Sequence, residues 1–282
     1  PHSAHLIGLR LKQKVQIPWV ADFRDPWTNI DFYQELKLSK WADKKHRNLE
    51  KKVLTNSDLV LTIGEHLKNE LIKLGGKNVQ IVENGYDEDD FPEEENINID
   101  NEFTIAHIGS FTPSRNHNVL WQSLKELTLE NVEFKKQLKI KLIGKVDHSV
   151  YNSIRKFTLE SHIMSMGYMS HNNVIEEQKK SKVLLLMVNN TPNAKGIITG
   201  KIFEYIASGR PVLVIGPKDG DLSQIINNTK CGIVCDFNDV SDLKSALISL
   251  FQNKLSFSSD ASYYTRINLT EKLSNLLENV SE

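Results

Sequence analysis

The form of the apolar segments constrains this chain more than any other feature. Stretches such as 182–188 (KVLLLMV) and 211–216 (PVLVIG) are continuous apolar runs with no polar alternation. In a strand, successive side chains point to opposite faces, so an unbroken run must be covered on both. A parallel sheet between helices gives that cover. Nine strands are predicted, over 17–23, 58–63, 79–84, 103–109, 138–144, 162–168, 182–188, 211–216 and 231–237. Amphipathic stretches predicted as helices fill the gaps, over 3–14, 34–55, 65–73, 119–129, 149–160, 172–180, 200–207, 222–227 and 240–252. The pattern is that of a doubly wound α/β protein.

The 282 residues suit two domains of ordinary size. One composition shift divides them: 87–100 (DEDDFPEEENINID) is acidic, carries Pro92, lacks an apolar period and reads as a solvated linker. The expected organisation is a front lobe with linker over 1–98, a back lobe over 99–260, and a closing segment over 261–282. That tail places Ile267, Leu269, Leu273, Leu276, Leu277 and Val280 at helical spacing, so it must dock on another surface. The front portion offers only three strands, few for a complete sheet of this class, and the first residue is Pro1 rather than Met. The first strands of the front lobe are therefore expected to lie outside the chain.

Thirty-five Lys and Arg against 36 Asp and Glu give a formal charge of −1, which leaves no excess to grip nucleic acid. No apolar run approaches the roughly 18 residues that span a bilayer, and no secretory signal is recognised. Cys231 and Cys235, four residues apart in a predicted strand, would have Cα atoms about 13 Å apart, beyond disulfide reach. They read as small core residues in a reducing, cytoplasmic compartment. The nine histidines form no zinc-like spacing, and the Asp87–Asp89 and Asp219–Asp221 pairs read as linker and helix-start residues. No metal is expected.

In open α/β sheets, ligands sit beyond the carboxyl ends of strands. Gly109 and Ser110 follow one such strand, although glycine at a strand end is also ordinary turn chemistry. The stretch 195–209 (KGIITGKIFEYIASG) says more. Thr199 and Gly200 stand just before a helix whose first amides suit a phosphate, and Lys201 can add a full charge. Glu204, three residues on, shares the side of Lys201 and can accept two hydrogen bonds from a ribose diol. A capped helix with a surface Lys201–Glu204 pair would show the same spacing. Arg115, in the loop GSFTPSRNHN, could clamp a diphosphate, or be a solvated loop arginine. In the front portion, IPWVADFRDPW gathers Asp22, Arg24 and Asp25 at a strand's end. These charges could orient a polar substrate, or Arg24 could be paired internally to fix the turn.

Together these segments resemble the retaining glycosyltransferases of family 4, also called group 1. NSDLVLTIGEHLKNELIKLGGKNVQIVENGYDEDDF is similar to the family's last front-lobe unit and its crossing into the linker. FTIAHIGSFTPSRN resembles the first strand and loop of its donor lobe, LKIKLIG the next strand, and KIFEYIASGRPVLVI the donor-site helix and following strand. The resemblance implies the GT-B fold, two Rossmann-like lobes, with the N-terminal one incomplete here. It implies that Glu204 binds the donor ribose, and that Arg115 and Lys201 hold the diphosphate with help from backbone N–H groups near Gly109, Ser110 and Gly200. The DFRD turn would line the acceptor cleft, with Asp22, Arg24 and Asp25 as candidate catalytic residues. Two departures stand out. Arg24 falls where many members carry a histidine, and Gly196 falls where many carry the first of two glutamates.

The implied activity is transfer of a sugar from a nucleotide-diphosphate sugar to an acceptor hydroxyl with retention, in cell-surface polysaccharide or glycoconjugate synthesis in a bacterium. The acceptor would be a carbohydrate or lipid-linked. No cofactor beyond the donor substrate is implied. Loose attachment to the inner membrane is allowed, the run Lys44-Lys45-His46-Arg47 with Lys51-Lys52 being the candidate contact, although a solvated helix face also explains it. Two other readings remain: a fragment that binds nucleotide sugar without transferring it, and a nucleotide-sugar epimerase of the same fold.

Overall fold

The computed structural model describes residues 2–92, 97–257 and 260–281, so part of the acidic stretch, 93–96, lies outside the described residues. All nine predicted strands are present. They are β1 (Val20–Asp22), β2 (Leu59–Thr62), β3 (Val79–Ile81), β4 (Phe103–Ile108), β5 (Leu138–Ile143), β6 (Ile163–Gly167), β7 (Val183–Met187), β8 (Val212–Ile215) and β9 (Gly232–Cys235). The helices are α1 (Ser3–Val15), α2 (Lys40–Asn56), α3 (Glu65–Lys73), α4 (Asn118–Glu130), α5 (Val132–Gln137), α6 (His148–Lys156), α7 (His171–Lys180), α8 (Lys201–Ala207), α9 (Asp221–Thr229), α10 (Val240–Phe251) and α11 (Arg266–Ser281). The strands form two sheets, β1-β2-β3 and β6-β5-β4-β7-β8-β9, parallel throughout.

The chain divides into two compact units. The first comprises Pro1–Gly85, Thr191–Ile198 and Tyr263–Glu282; the second comprises Tyr86–Asn190 and Thr199–Ser262. The boundaries differ from the sequence expectation in two ways. The turn at Glu88–Asp90 groups with the second unit, and the short piece Thr191–Ile198 groups with the first.

In the second unit, every residue of β4, β7 and β8 is buried, which is why their sequences show no alternation. Their side chains meet the inner faces of α4 and α10. Leu120, Trp121, Leu124, Leu243 and Leu247 are all at most 1% exposed. Each such side chain contributes about 1.5–3 kcal/mol of transfer free energy. A buried polar exception, Lys141 of β5, is neutralised by Asp100 and Glu177, each at 2.7 Å. Breaking one partner of such a cluster leaves an uncompensated buried charge. Cys231 and Cys235 are buried free thiols.

In the first unit, β1 to β3 pack against α1, α2 and α3 through Phe23, Trp27, Val53, Leu54 and Leu71. The opposite face of this sheet is covered by α11, whose Leu269 meets Leu59, Leu61 and Val82.

Three helices depart from the pattern read in the sequence. The predicted helix over 34–55 breaks in two. Residues Tyr33–Leu36 form one tight turn, Lys37 takes a left-handed conformation at φ 47°, and Ser39 then caps α2 by accepting from the Ala42 amide. Helix α6 stops at Lys156 because Thr158 turns left-handed at φ 53°. Helix α5 was not predicted. It is six residues long, mostly polar, and set by Asn131 accepting from the Phe134 amide.

Candidate functional site

The strand order of the larger sheet fixes where a ligand can bind. From β4 the chain runs outward through β5 to β6, and from β7 it runs the other way through β8 to β9. The loops leaving the neighbouring strands β4 and β7 therefore diverge, and a crevice opens between their carboxyl ends. Side chains tie the two loops across it. Arg115 Nε donates to Asn189 Oδ1 at 2.8 Å, and the His117 ring Nε2 meets the Val188 carbonyl at 2.7 Å. Arg115 Nη1 also donates to the Ser110 carbonyl at 3.3 Å. These contacts hold the guanidinium at the crevice instead of leaving it to wander in solvent.

Lys201 opens α8 after β7 and reaches back over the end of β4. Gly109 there has φ 98°, and a Cβ at that position would stand 2.8 Å from Lys201 Cε. The missing side chain of Gly109 is thus the space that the lysine occupies. Lys201 Nζ makes no hydrogen bond or ion pair among the described residues. Burial first, and then the charge of Arg115, bring its pKa down to about 8, with Glu204 opposing. Two cations drawn this close repel each other, and an anion that contacted both would relieve the repulsion.

Glu204 lies one turn along α8. Gln178 of α7, fully buried, donates from Nε2 to Glu204 Oε2 at 3.1 Å and so fixes the carboxylate. Ser110 and Gly200 are exposed at the rim. The chemistry assembled is two cationic side chains, then a positioned carboxylate about one helical turn away, at a sheet's switch point.

One expectation is corrected. The Gly109 N–H donates to the Ile143 carbonyl at 2.7 Å, so it is engaged within the sheet; this glycine acts through its lack of a side chain. The Thr199 hydroxyl is sealed from solvent and has no hydrogen-bond partner among the described residues. Asn189 and Gln178 were not found from the sequence. One is a polar residue in a loop, the other lies in a mainly polar helix, and their partners lie 74 and 26 positions away.

The front turn belongs to the first unit. Arg24 donates from Nη1 to the carbonyls of Val82 (2.8 Å) and Glu83 (3.1 Å) and to Asn84 Oδ1 (3.1 Å), and from Nε to Asp22 (3.1 Å). Of the two roles open to this arginine, the structure gives it the internal one: it fastens the end of β1 to the segment after β3. Asp25 is exposed. Below the turn, buried Glu50 accepts from the Trp27 and Thr28 amides at 3.2 and 3.3 Å and from the Thr28 hydroxyl at 2.5 Å. Among the described residues, no group of three or more His, Cys, Asp and Glu side chains is placed to hold a metal ion.

A family model described as glycosyl transferases group 1 matches residues 87–268, most of the chain and all of the crevice. The chain belongs to this family. As a group 1 glycosyltransferase it is 25% identical over 251 residues to an uncharacterized glycosyltransferase, MJ1178, of Methanocaldococcus jannaschii, covering 88% of this chain. It spans 62% of that relative's length, less than two thirds. Among solved structures it is similar to HepE of Anabaena, crystallised with UDP, with a TM-score of 0.76 at 13% identity over 99% of this chain and 77% of that one. A second is the sucrose-phosphate synthase of Thermosynechococcus elongatus, with a TM-score of 0.71 at 13% identity over 98% and 71% of the two chains. The chain is thus an α/β protein of the GT-B class. Among its described residues, no helix is long and apolar enough to cross a membrane.

Proposed function

We propose that this glycosyltransferase binds a nucleoside-diphosphate sugar in the crevice between β4 and β7 and transfers the sugar, with retention, to an acceptor hydroxyl, as a family 4 enzyme. The observation that carries the reading is the convergence of Arg115 and Lys201 at the switch point, with Gln178 holding Glu204 one turn further on. The two cations meet the diphosphate and Glu204 the ribose hydroxyls. As the bond from the anomeric carbon to the diphosphate breaks, negative charge grows on the leaving oxygens. Lys201 and Arg115, already fixed, stabilise it without reorganising. The acceptor hydroxyl attacks the oxocarbenium-like carbon from the face the diphosphate leaves, and its proton passes to the departing diphosphate oxygen. The UDP bound in HepE makes uridine diphosphate the first base to test.

On the acceptor side, Asp22 and Asp25 offer carboxylates on a turn that Arg24 keeps rigid. A carbohydrate or lipid-linked acceptor in cell-surface polysaccharide synthesis suits such a turn. A lipid-linked acceptor would be met at the cytoplasmic face of a membrane, where exposed Lys44, Lys45, Lys51 and Lys52 of α2 lie on the same helix as Trp41, itself 72% exposed. The deciding experiment is calorimetric titration of the chain with uridine and guanosine diphosphates. Lys201→Ala and Glu204→Ala are each expected to weaken the preferred nucleotide about tenfold or more, the cost of a charge-assisted hydrogen bond. Unchanged affinity in both variants would remove the crevice as the donor site.

A further inference from the structure

Lys201 helps line a small cavity of about 10 Å³, together with His107, Arg115, Leu185, Met187, Thr199 and Tyr205 among others. Buried polar groups in folded proteins are almost always satisfied, by protein or by ordered water. Seven buried side-chain atoms have no hydrogen-bond partner among the described residues, and three of them, His107 Nε2, Thr199 Oγ1 and Tyr205 OH, belong to residues lining this void. They come from the carboxyl end of β4 and from the stretch that leads into and forms α8. The backbones of Ser110 and Ile108 approach the His107 ring and Tyr205 OH, without forming hydrogen bonds of normal geometry to the orphaned atoms. A void of this size holds about one water molecule, and a water held there needs two to four polar partners.

The state of His107 is set by its surroundings. It is 3% exposed, and its Nδ1 lies 3.4 Å from the Leu185 carbonyl; the tautomer protonated on Nδ1 donates there and keeps a lone pair on Nε2. Burial, reinforced by the charge of Lys201, lowers its pKa to about 3, so the ring stays neutral at any working pH. A neutral acceptor at the carboxyl end of β4 therefore shares the void with the lysine.

We propose that one ordered water fills this void, bound by His107 Nε2 and the hydroxyls of Thr199 and Tyr205, and that it solvates the inner side of the Lys201 ammonium. His107 is then a positioning residue: it acts on the diphosphate only through the water and the lysine. The groups facing the ammonium are Arg115 from the turn after β4, which opposes its charge, Glu204 of the same helix, which favours it, and the neutral His107 and Tyr205. The water supplies acceptor capacity to a cation that the protein otherwise leaves without a hydrogen bond. The functional part of this inference rests on the donor-site reading; the water itself does not.

Two measurements on the full chain test it. A crystal structure at about 1.5 Å should show a water within hydrogen-bond distance of both His107 Nε2 and Thr199 Oγ1; an empty void overturns the proposal. Carbon-13 NMR titration of labelled lysines then reports Lys201 without any ligand. His107→Leu, which removes the acceptor, should lower the Lys201 midpoint by about half a pH unit or more, because the charged form loses solvation. His107→Gln, which can restore an acceptor, should return it towards the wild-type value. A midpoint unmoved in a folded His107→Leu protein overturns the positioning role. Uridine diphosphate titrations of the same proteins separate this outcome from failure of the donor site. If nucleotide affinity is insensitive to Lys201→Met while the NMR shift is present, the crevice assignment falls and the hydrated lysine stands.

Discussion

Replacing Gly109 by alanine probes the donor site with a single methyl group. Gly109 has φ 98°, where an L side chain is strained by about 1–3 kcal/mol, and the new Cβ would stand 2.8 Å from Lys201 Cε. Backbone hydrogen bonding from Gly109 N to the Ile143 carbonyl resists movement of the strand end, so the lysine is the part that gives way. Displacing it forfeits a charge-assisted contact to the diphosphate of about 1.5–3 kcal/mol, which is about 10- to 100-fold in nucleotide affinity. Urea unfolding would register the backbone strain, and calorimetric titration with uridine diphosphate the loss of affinity. The two effects separate in a double-mutant cycle. In a Lys201→Met background, Gly109→Ala should still cost stability but add little further loss of binding. The reasoning is refuted if Gly109→Ala remains folded and binds within about twofold of wild type.

Other outcomes follow from the same geometry. Lys201, with its pKa near 8 in the folded chain and higher when unfolded, is protonated in both states below pH 8. Between pH 8 and about 10.4 the unfolded state binds more protons, so this group's contribution to stability rises with pH while nucleotide affinity falls. Titrations above pH 8 in buffers of different ionisation heat should accordingly detect proton uptake on nucleotide binding that disappears in Lys201→Met. Gln178→Leu removes the donor that fixes Glu204, and should weaken uridine and uridine diphosphate by a similar factor of about 10, since it acts on the ribose end. Glu50→Ala leaves the buried Trp27 and Thr28 amides without their acceptor and should destabilise the chain by about 2–4 kcal/mol in urea unfolding, with nucleotide affinity unchanged.

Strands β2, β4, β7 and β8 were legible because burial on both faces removes polar alternation, a signal that needs no knowledge of partners. Gln34–Thr55 was misread as one helix because Ser39 is a weak signal inside a periodic stretch, and only the left-handed Lys37 makes it a cap. Helix α5 escaped because six mostly polar residues give no apolar period. At the site, Lys201, Glu204 and Arg115 were visible as charges near strand ends. His107 was not, since a histidine inside FTIAHI looks like any other core position until its unmatched Nε2 and the small cavity it shares with Lys201 are seen. Arg24 was visible but ambiguous. Its acceptors lie 58 to 60 positions along the chain, so sequence spacing held no information on which of its two roles it takes.

The cover that α11 gives to the first sheet has a consequence for biosynthesis. Leu59, Leu61 and Val82 emerge from the ribosome about 190 to 210 residues ahead of Leu269, which shields them. At about 5–20 residues per second the nascent chain carries that apolar face open to water for some ten to forty seconds. Chaperone occupancy during translation should therefore concentrate on the first sheet and end only when α11 has emerged.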